Sequence, residues 1–317
     1  MMLSFLAVIL SVTSLVTAGP IQRRAVNEVI SSNFPDPSIL KVGTTWYSLA
    51  TNSGGINIQI AKSLDFKSWA VISGKDALPN LPRWVNNTDP AVWAPDVIQN
   101  DHGEFVLYFS ASSGNNPRHC LGVATSKDIE GPYTAQDDPW VCPVDQGGAI
   151  DSSGFHDSDG SRYVTYKIDG NSLTSGQGGC GNVAPPFSPT PIMQQKVAGN
   201  GIDKLGEPYQ ILDRSDDDGP LVEAPSIAKL PDGRYVLFFS SGCFSADYHL
   251  KYALADSVNG PYTKYGILHG TENLKNPGGA SIAEDGTHLL FHADLPAGGR
   301  GMYAATVAFN GNDGSAN

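Results

Sequence analysis

Four carboxylates stand in four short, similar segments. These are Asp36 in Pro35-Asp36-Pro37-Ser38-Ile39, Asp96 in Trp93-Ala94-Pro95-Asp96-Val97, Asp151 in Gly148-Ala149-Ile150-Asp151-Ser152 and Glu223 in Val222-Glu223-Ala224-Pro225-Ser226. They precede Gly43, Gly103, Gly160 and Gly233 by 7, 7, 9 and 10 residues. A single acid at such a place caps a turn or accepts backbone N–H bonds. Several acids converging on one point repel each other and destabilise the fold unless they serve a role. Two carboxylates in different environments are the minimum for glycoside hydrolysis: one protonated to release the leaving group, the other ionised to activate water or attack the sugar. A third acid nearby holds that proton in place by charge repulsion. Gly-x-Ser-x-Gly, His-Glu-x-x-His and a phosphate loop are all absent, so esterase, zinc-protease and nucleotide chemistry lack their usual parts. Asp96 reads as a structural hydrogen-bond acceptor beside the site.

The elements that must position these acids repeat. Gly43-Thr-Thr-Trp-Tyr-Ser-Leu, Gly103-Glu-Phe-Val-Leu-Tyr-Phe and Gly160-Ser-Arg-Tyr-Val-Thr-Tyr share one form with Gly233-Arg-Tyr-Val-Leu-Phe-Phe and Gly286-Thr-His-Leu-Leu-Phe-His. Each is a turn glycine followed by an alternating strand, and the glycines lie 60, 57, 73 and 53 residues apart. A unit of that length holds about four short strands, the content of one propeller blade. The sequence therefore predicts an all-β, five-bladed β-propeller with the acids on the innermost strands, around the mouth of the central channel. The fifth unit, Pro277-Gly278-Gly279-Ala280-Ser281-Ile282, has no acid at that place.

Residues 3–17 are apolar and uncharged and end in Val16-Thr17-Ala18, the pattern of a secretory signal over residues 1–18. Arg23-Arg24 offers a processing site, so 19–24 reads as a propeptide and 25–317 as one catalytic domain. The net charge of −12 becomes −14 without those arginines, which disfavours nucleic acid and anionic membranes as partners and suits a neutral saccharide. A secreted, extracellular monomer is expected. Cys120, Cys142, Cys180 and Cys243 allow two disulfides in three connectivities, and Asn86-Asn87-Thr88 is a glycosylation sequon.

With Pro-Asp-Pro-Ser at 35–38, Trp-Ala-Pro-Asp at 93–96, Ala-Ile-Asp at 149–151 and Glu-Ala-Pro-Ser at 223–226, the chain from Asn33 to about Phe309 resembles glycoside hydrolase family 43. Those are five-bladed propeller enzymes acting on arabinose- and xylose-containing polysaccharides. The resemblance implies that Asp36 is the general base of an inverting reaction and Glu223 the general acid. It implies that Asp151 orients Glu223 and keeps its pKa raised. It places Trp93 and Arg300 against the sugar, and Phe34, beside the proposed base, is expected to face it as well. Many members hold a channel ion with a His in a Pro-Gly-His segment, which Pro277-Gly278-Gly279 lacks, so His292 becomes the candidate ligand for a Ca²⁺ in the central channel. No cofactor is required for the reaction.

An exo-acting α-L-arabinofuranosidase is the first expectation. Endo-1,5-α-L-arabinanase and β-xylosidase are the alternatives within the family. Gly148-Ala149-Ile150-Asp151-Ser152 departs from the arabinanase-like Asn-Ala-Ile-Asp-Pro, and the chain ends soon after its fifth unit, where large β-xylosidases add a sandwich. A fructan-cleaving propeller would carry Asn-Asp-Pro-Asn, Arg-Asp-Pro and Glu-Cys motifs, none of which is present. A non-catalytic sugar-binding propeller would be expected to lack one of the three acids.

Overall fold

The structure, a computed structural model, describes residues 26–174 and 180–317. The expected signal and propeptide lie outside the described residues. Five antiparallel sheets make five blades of a β-propeller. The innermost strands are Leu40–Val42, Trp93–Gln99, Ala149–His156, Val222–Lys229 and Gly278–Ile282 in blades 1 to 5. Each pairs with the strand that follows its repeat glycine. All five repeat glycines have positive φ, between 60° and 91°, the left-handed backbone that a tight turn asks of glycine.

The last blade is not built from consecutive chain alone. Asn27–Ile30, the first described strand, adds to the outside of blade 5 by pairing with Arg300–Asn310. This closes the ring and delivers Asp36, a few residues further on, beside Arg300.

Alternation along each strand explains the cohesion. In blade 2, Val97, Phe105, Leu107 and Phe109 pack on blade 1 residues such as Leu49 and Ile60. Their neighbours Ile98, Val106 and Tyr108 pack on Val164 and Tyr166 of blade 3. Five apolar clusters fill the five blade interfaces in this way. Each fully buried large side chain contributes about 1.5–3 kcal/mol.

The inner ends of the blades are also latched by a ring of hydrogen bonds. Four innermost strands, and in blade 1 the segment leading into the strand, are kinked at one residue with positive φ: Asp36 (53°), Ala94 (41°), Asp151 (59°), Ala224 (52°) and Gly279 (58°). In blades 2 to 5 the pairing register shifts there, as at a β-bulge. The kink turns an N–H toward the preceding blade. Ala94 N donates to Thr51 Oγ1 (2.9 Å), Asp151 N to Ser110 Oγ (3.0 Å), Gly279 N to Ser240 Oγ (3.0 Å) and Asp36 N to His292 Nδ1 (3.1 Å). At the junction between blades 3 and 4 the acceptor is different: Ala224 N donates to Asp151 Oδ2 at 3.0 Å.

The four cysteines pair as Cys120–Cys142, within blade 2, and Cys180–Cys243, joining loops of blades 3 and 4. Among the described residues, no helix is long and apolar enough to cross a membrane.

Candidate active site

The ring of kinks separates acids that the sequence sets in parallel. Asp36 and Asp151 occupy the kink itself, Glu223 precedes its kink by one residue, and Asp96 follows its kink by two. Asp36, Asp151 and Glu223 open into one pocket of about 550 Å³; Asp36 and Asp151 also border the narrow central channel, where Asp96 lies outside that pocket. The other four blades carry Ser38, Ser153, Ser226 and Ser281 at the place of Asp96. Asp96 Oδ2 accepts Gly154 N (2.7 Å) much as Ser226 Oγ accepts Ile282 N (3.1 Å), each one blade onward. Burial pushes the Asp96 carboxyl up to about 7.

Asp36 is held as an anion. Burial opposes its charge, but Arg300 Nη1 at 3.2 Å from Oδ1, the nearby His292 ring and the Thr51 hydroxyl at 2.6 Å from Oδ2 outweigh it. Together they hold the carboxyl well below the usual range. Asp151 is pushed the other way: burial, then the charge of Glu223, raises its carboxyl well above the usual range. The Ala224 N–H limits but does not reverse this rise. Glu223 has both oxygens occupied: Oε2 by Lys167 Nζ at 2.8 Å and Oε1 by the Tyr248 hydroxyl at 2.7 Å. Tyr248 is itself raised by burial and by Glu223, so it remains a donor.

Trp93 lines the pocket and is 38 % exposed, its ring stacked on His119 at 3.9 Å and 19°. Arg300 also lines the pocket, with one guanidinium nitrogen already engaged by Asp36. Phe34 does not face the sugar. It is wholly buried with Ile30, Trp46, Leu290 and Met302 in the core between blades 5 and 1, because residue 34 packs inward where the chain enters blade 1.

The expectation that His292 is a metal ligand is corrected as well. Its Nδ1 serves as the latch acceptor for Asp36 N, and its Nε2 faces Arg300 Nη1 at 3.4 Å. The ring fills the space that a side chain at 279 would need, since a Cβ there would come within 2.6 Å of it. That accounts for Gly279. Calcium takes six to eight oxygen ligands around one point. Among the described residues no three His, Cys, Asp or Glu side chains gather to hold a metal. The residues present do not fit the ion, and no step is routed through it.

Lys167, Tyr248, Thr51 and His119 escaped the sequence reading. Lys167 left one trace, a charge between Tyr166 and Ile168 in an otherwise apolar strand end. Tyr248 and Thr51 left none, since only blade juxtaposition brings them to the acids.

This arrangement can be set against known proteins. The model of the glycosyl hydrolases of family 43 matches residues 25–310. An extracellular endo-α-(1→5)-L-arabinanase of Thermotoga petrophila is 29 % identical over 259 residues, 72 % of this chain and 50 % of its own length. Extracellular endo-α-(1→5)-L-arabinanase 1 of Bacillus subtilis is 28 % identical over 279 residues, 81 % of this chain and 79 % of its own. This chain thus spans about half of the first relative and most of the second. The crystal structure of a thermostable family-43 glycoside hydrolase superposes with a TM-score of 0.73 at 21 % identity, covering 93 % of this chain and 96 % of its own, which bears on the fold. The chain belongs to the glycosyl hydrolases of family 43.

Proposed function

We propose that this protein hydrolyses arabinofuranosyl bonds in arabinan with inversion at the anomeric carbon. The observation that carries the reading is the opposed setting of two carboxyls in one pocket with Glu223: Asp36 held ionised by Arg300 and Thr51, and Asp151, beside Glu223, raised by burial. A water lodged by Asp36 attacks the anomeric carbon and loses its proton to that carboxylate. Glu223 delivers a proton to the leaving oxygen as the glycosidic bond breaks, so charge and protons balance. Asp151 orients Glu223 through the Ala224 peptide. Trp93 offers an exposed ring face for a sugar, and the free edge of Arg300 reaches its hydroxyls.

On the bond attacked, the reading moves from exo toward endo. Sequence alone favoured an arabinofuranosidase, but the two relatives are named endo-α-(1→5)-L-arabinanases. Both are also named extracellular, which with the two disulfides supports secretion. The protein is read as a monomer.

Digestion of linear 1,5-α-L-arabinan followed by proton NMR and chromatography tests each part. Early release of short oligosaccharides with the inverted anomer is expected. Arabinose as the sole early product returns the reading to the exo enzyme, and a retained anomer sinks the inverting mechanism.

A further inference from the structure

The ring of latches has one exception, and it lies at the site. Thr51, just past the end of its second strand, and Ser110, Ser240 and His292 on theirs stand in equivalent places, opposite Pro35, Trp93, Glu223 and Gly278. Each accepts the N–H of the next blade's kink. In blade 3 that place, opposite Ile150, belongs to Lys167. An ammonium has three donors and no acceptor, so the latch is lost there and Asp151 Oδ2 takes over as acceptor for Ala224 N.

A serine would have latched this junction as it does two others. The lysine instead is wholly buried, with its Nζ 2.8 Å from Glu223 Oε2 and 2.9 Å from Asp169 Oδ1. Burying an ammonium is costly unless it is paired. The fold's own requirement is therefore better met by another residue, and the pairing with Glu223 is what the lysine adds.

We propose that Lys167 is a positioning residue for the leaving-group proton: it fixes the Glu223 carboxyl from one side and sets the pH at which the Asp151–Glu223 pair gives that proton up. The proposal rests on the reading of Glu223 as the acid. With Tyr248 on Oε1, the lysine leaves the carboxyl no freedom to rotate away from the pocket. Burial works against the charge of Lys167, but Asp169, Glu223 and Asp151 more than restore it, so it remains a cation through the working range.

The charges facing this pair from the other blades are few. Blade 1 supplies Asp36, which Arg300 of blade 5 balances. Blade 5 also supplies His292, and blade 2 His119, both held toward the neutral form by burial; blade 2 adds Arg118 at the pocket wall, its Nη1 donating to Ser172 O at 2.7 Å. Blade 4 supplies Tyr248. Lys167 is therefore the cation in direct contact with Glu223, and Asp169 its competing partner.

Opposite shifts follow from the two partners. A cation beside a carboxylate pair lowers its proton affinity by about one to three pH units. The alkaline limb of kcat/KM for Lys167→Met should therefore move to higher pH by about that amount. Its kcat on arabinan should fall more than tenfold, with a smaller loss on an aryl arabino-oligoside carrying a good leaving group. Asp169→Asn removes the competing anion and should move the limb to lower pH. A Lys167→Met limb that superimposes on the parent's, whatever the rate, overturns the proposal. If that variant does not fold, an Asp169→Asn limb that stays or moves up does so. Failure of the acid reading itself shows elsewhere, as an equal loss by Glu223→Gln on arabinan and on the aryl substrate.

Discussion

Two neighbouring blade junctions use buried carboxyls in opposite ways. Between blades 2 and 3, Asp96 meets backbone N–H groups and, among the described residues, no cationic partner, and its burial raises it to about 7. Between blades 3 and 4, Asp151 is raised too, but beside Glu223 and a buried lysine, in a pocket wide enough for a sugar. Burial alone therefore does not mark a catalytic acid. A charged partner and an open face do, and both follow from where the acid sits relative to the kink.

The largest effect should come from the pocket side of this comparison. Asp36→Asn keeps a residue that tolerates positive φ and can still accept the Thr51 hydroxyl, yet removes the base. Its turnover should drop about 10²–10⁴-fold, with an unchanged circular dichroism spectrum. Substantial residual activity would mean that another group activates the water. In the parent enzyme the acid limb of kcat/KM should lie below the ordinary carboxylate range, because Asp36 is held ionised there. A limb above pH 5 would contradict that assignment.

A smaller effect, and a sharper one, separates the two tasks of Asp151. Asp151→Asn keeps an oxygen for the Ala224 N–H and should retain stability while losing activity. Asp151→Ala leaves that N–H unpaired and should unfold about 1–3 kcal/mol more easily, as measured by urea titration. Equal stabilities would show that the Asp151 latch contributes nothing.

The smallest effect on activity belongs to Asp96→Ser, which installs the residue of the other four blades; kcat should stay within about threefold. Its stability should still depend on pH in a defined direction. The folded Asp96 holds its proton up to about pH 7 while the unfolded carboxyl releases it near the ordinary value of 3.8. The folded state binds the extra proton between those values, so this carboxyl costs the parent stability progressively as pH rises through that window. Asp96→Ser should gain on the parent from pH 4 to pH 8. A constant difference would place Asp96 in an ionised state after all.

Much of this was legible beforehand. The aromatic runs after Gly43, Gly103, Gly160, Gly233 and Gly286 fell on second strands, and Asp36, Asp151 and Glu223 met in one pocket. Where the reading failed, the cause was geometric. Phe34 looked like a sugar contact by its nearness to Asp36, but its side chain packs into the core between blades 5 and 1. His292 looked like a ligand because Gly279 stood where a relative has histidine, and it serves as a latch instead. Spacing to the repeat glycine suggested equivalent acids, but bulges break the count.

Sequence by itself determined the number of blades, the turns and the identity of the acids, because alternation and left-handed glycines are properties of a few consecutive residues. Tertiary structure alone decided which acids share a pocket, which one the scaffold uses, and that a lysine 56 residues before Glu223 would hold it. Those outcomes depend on neighbouring blades turning kinked strands toward each other, and no local pattern encodes such a meeting.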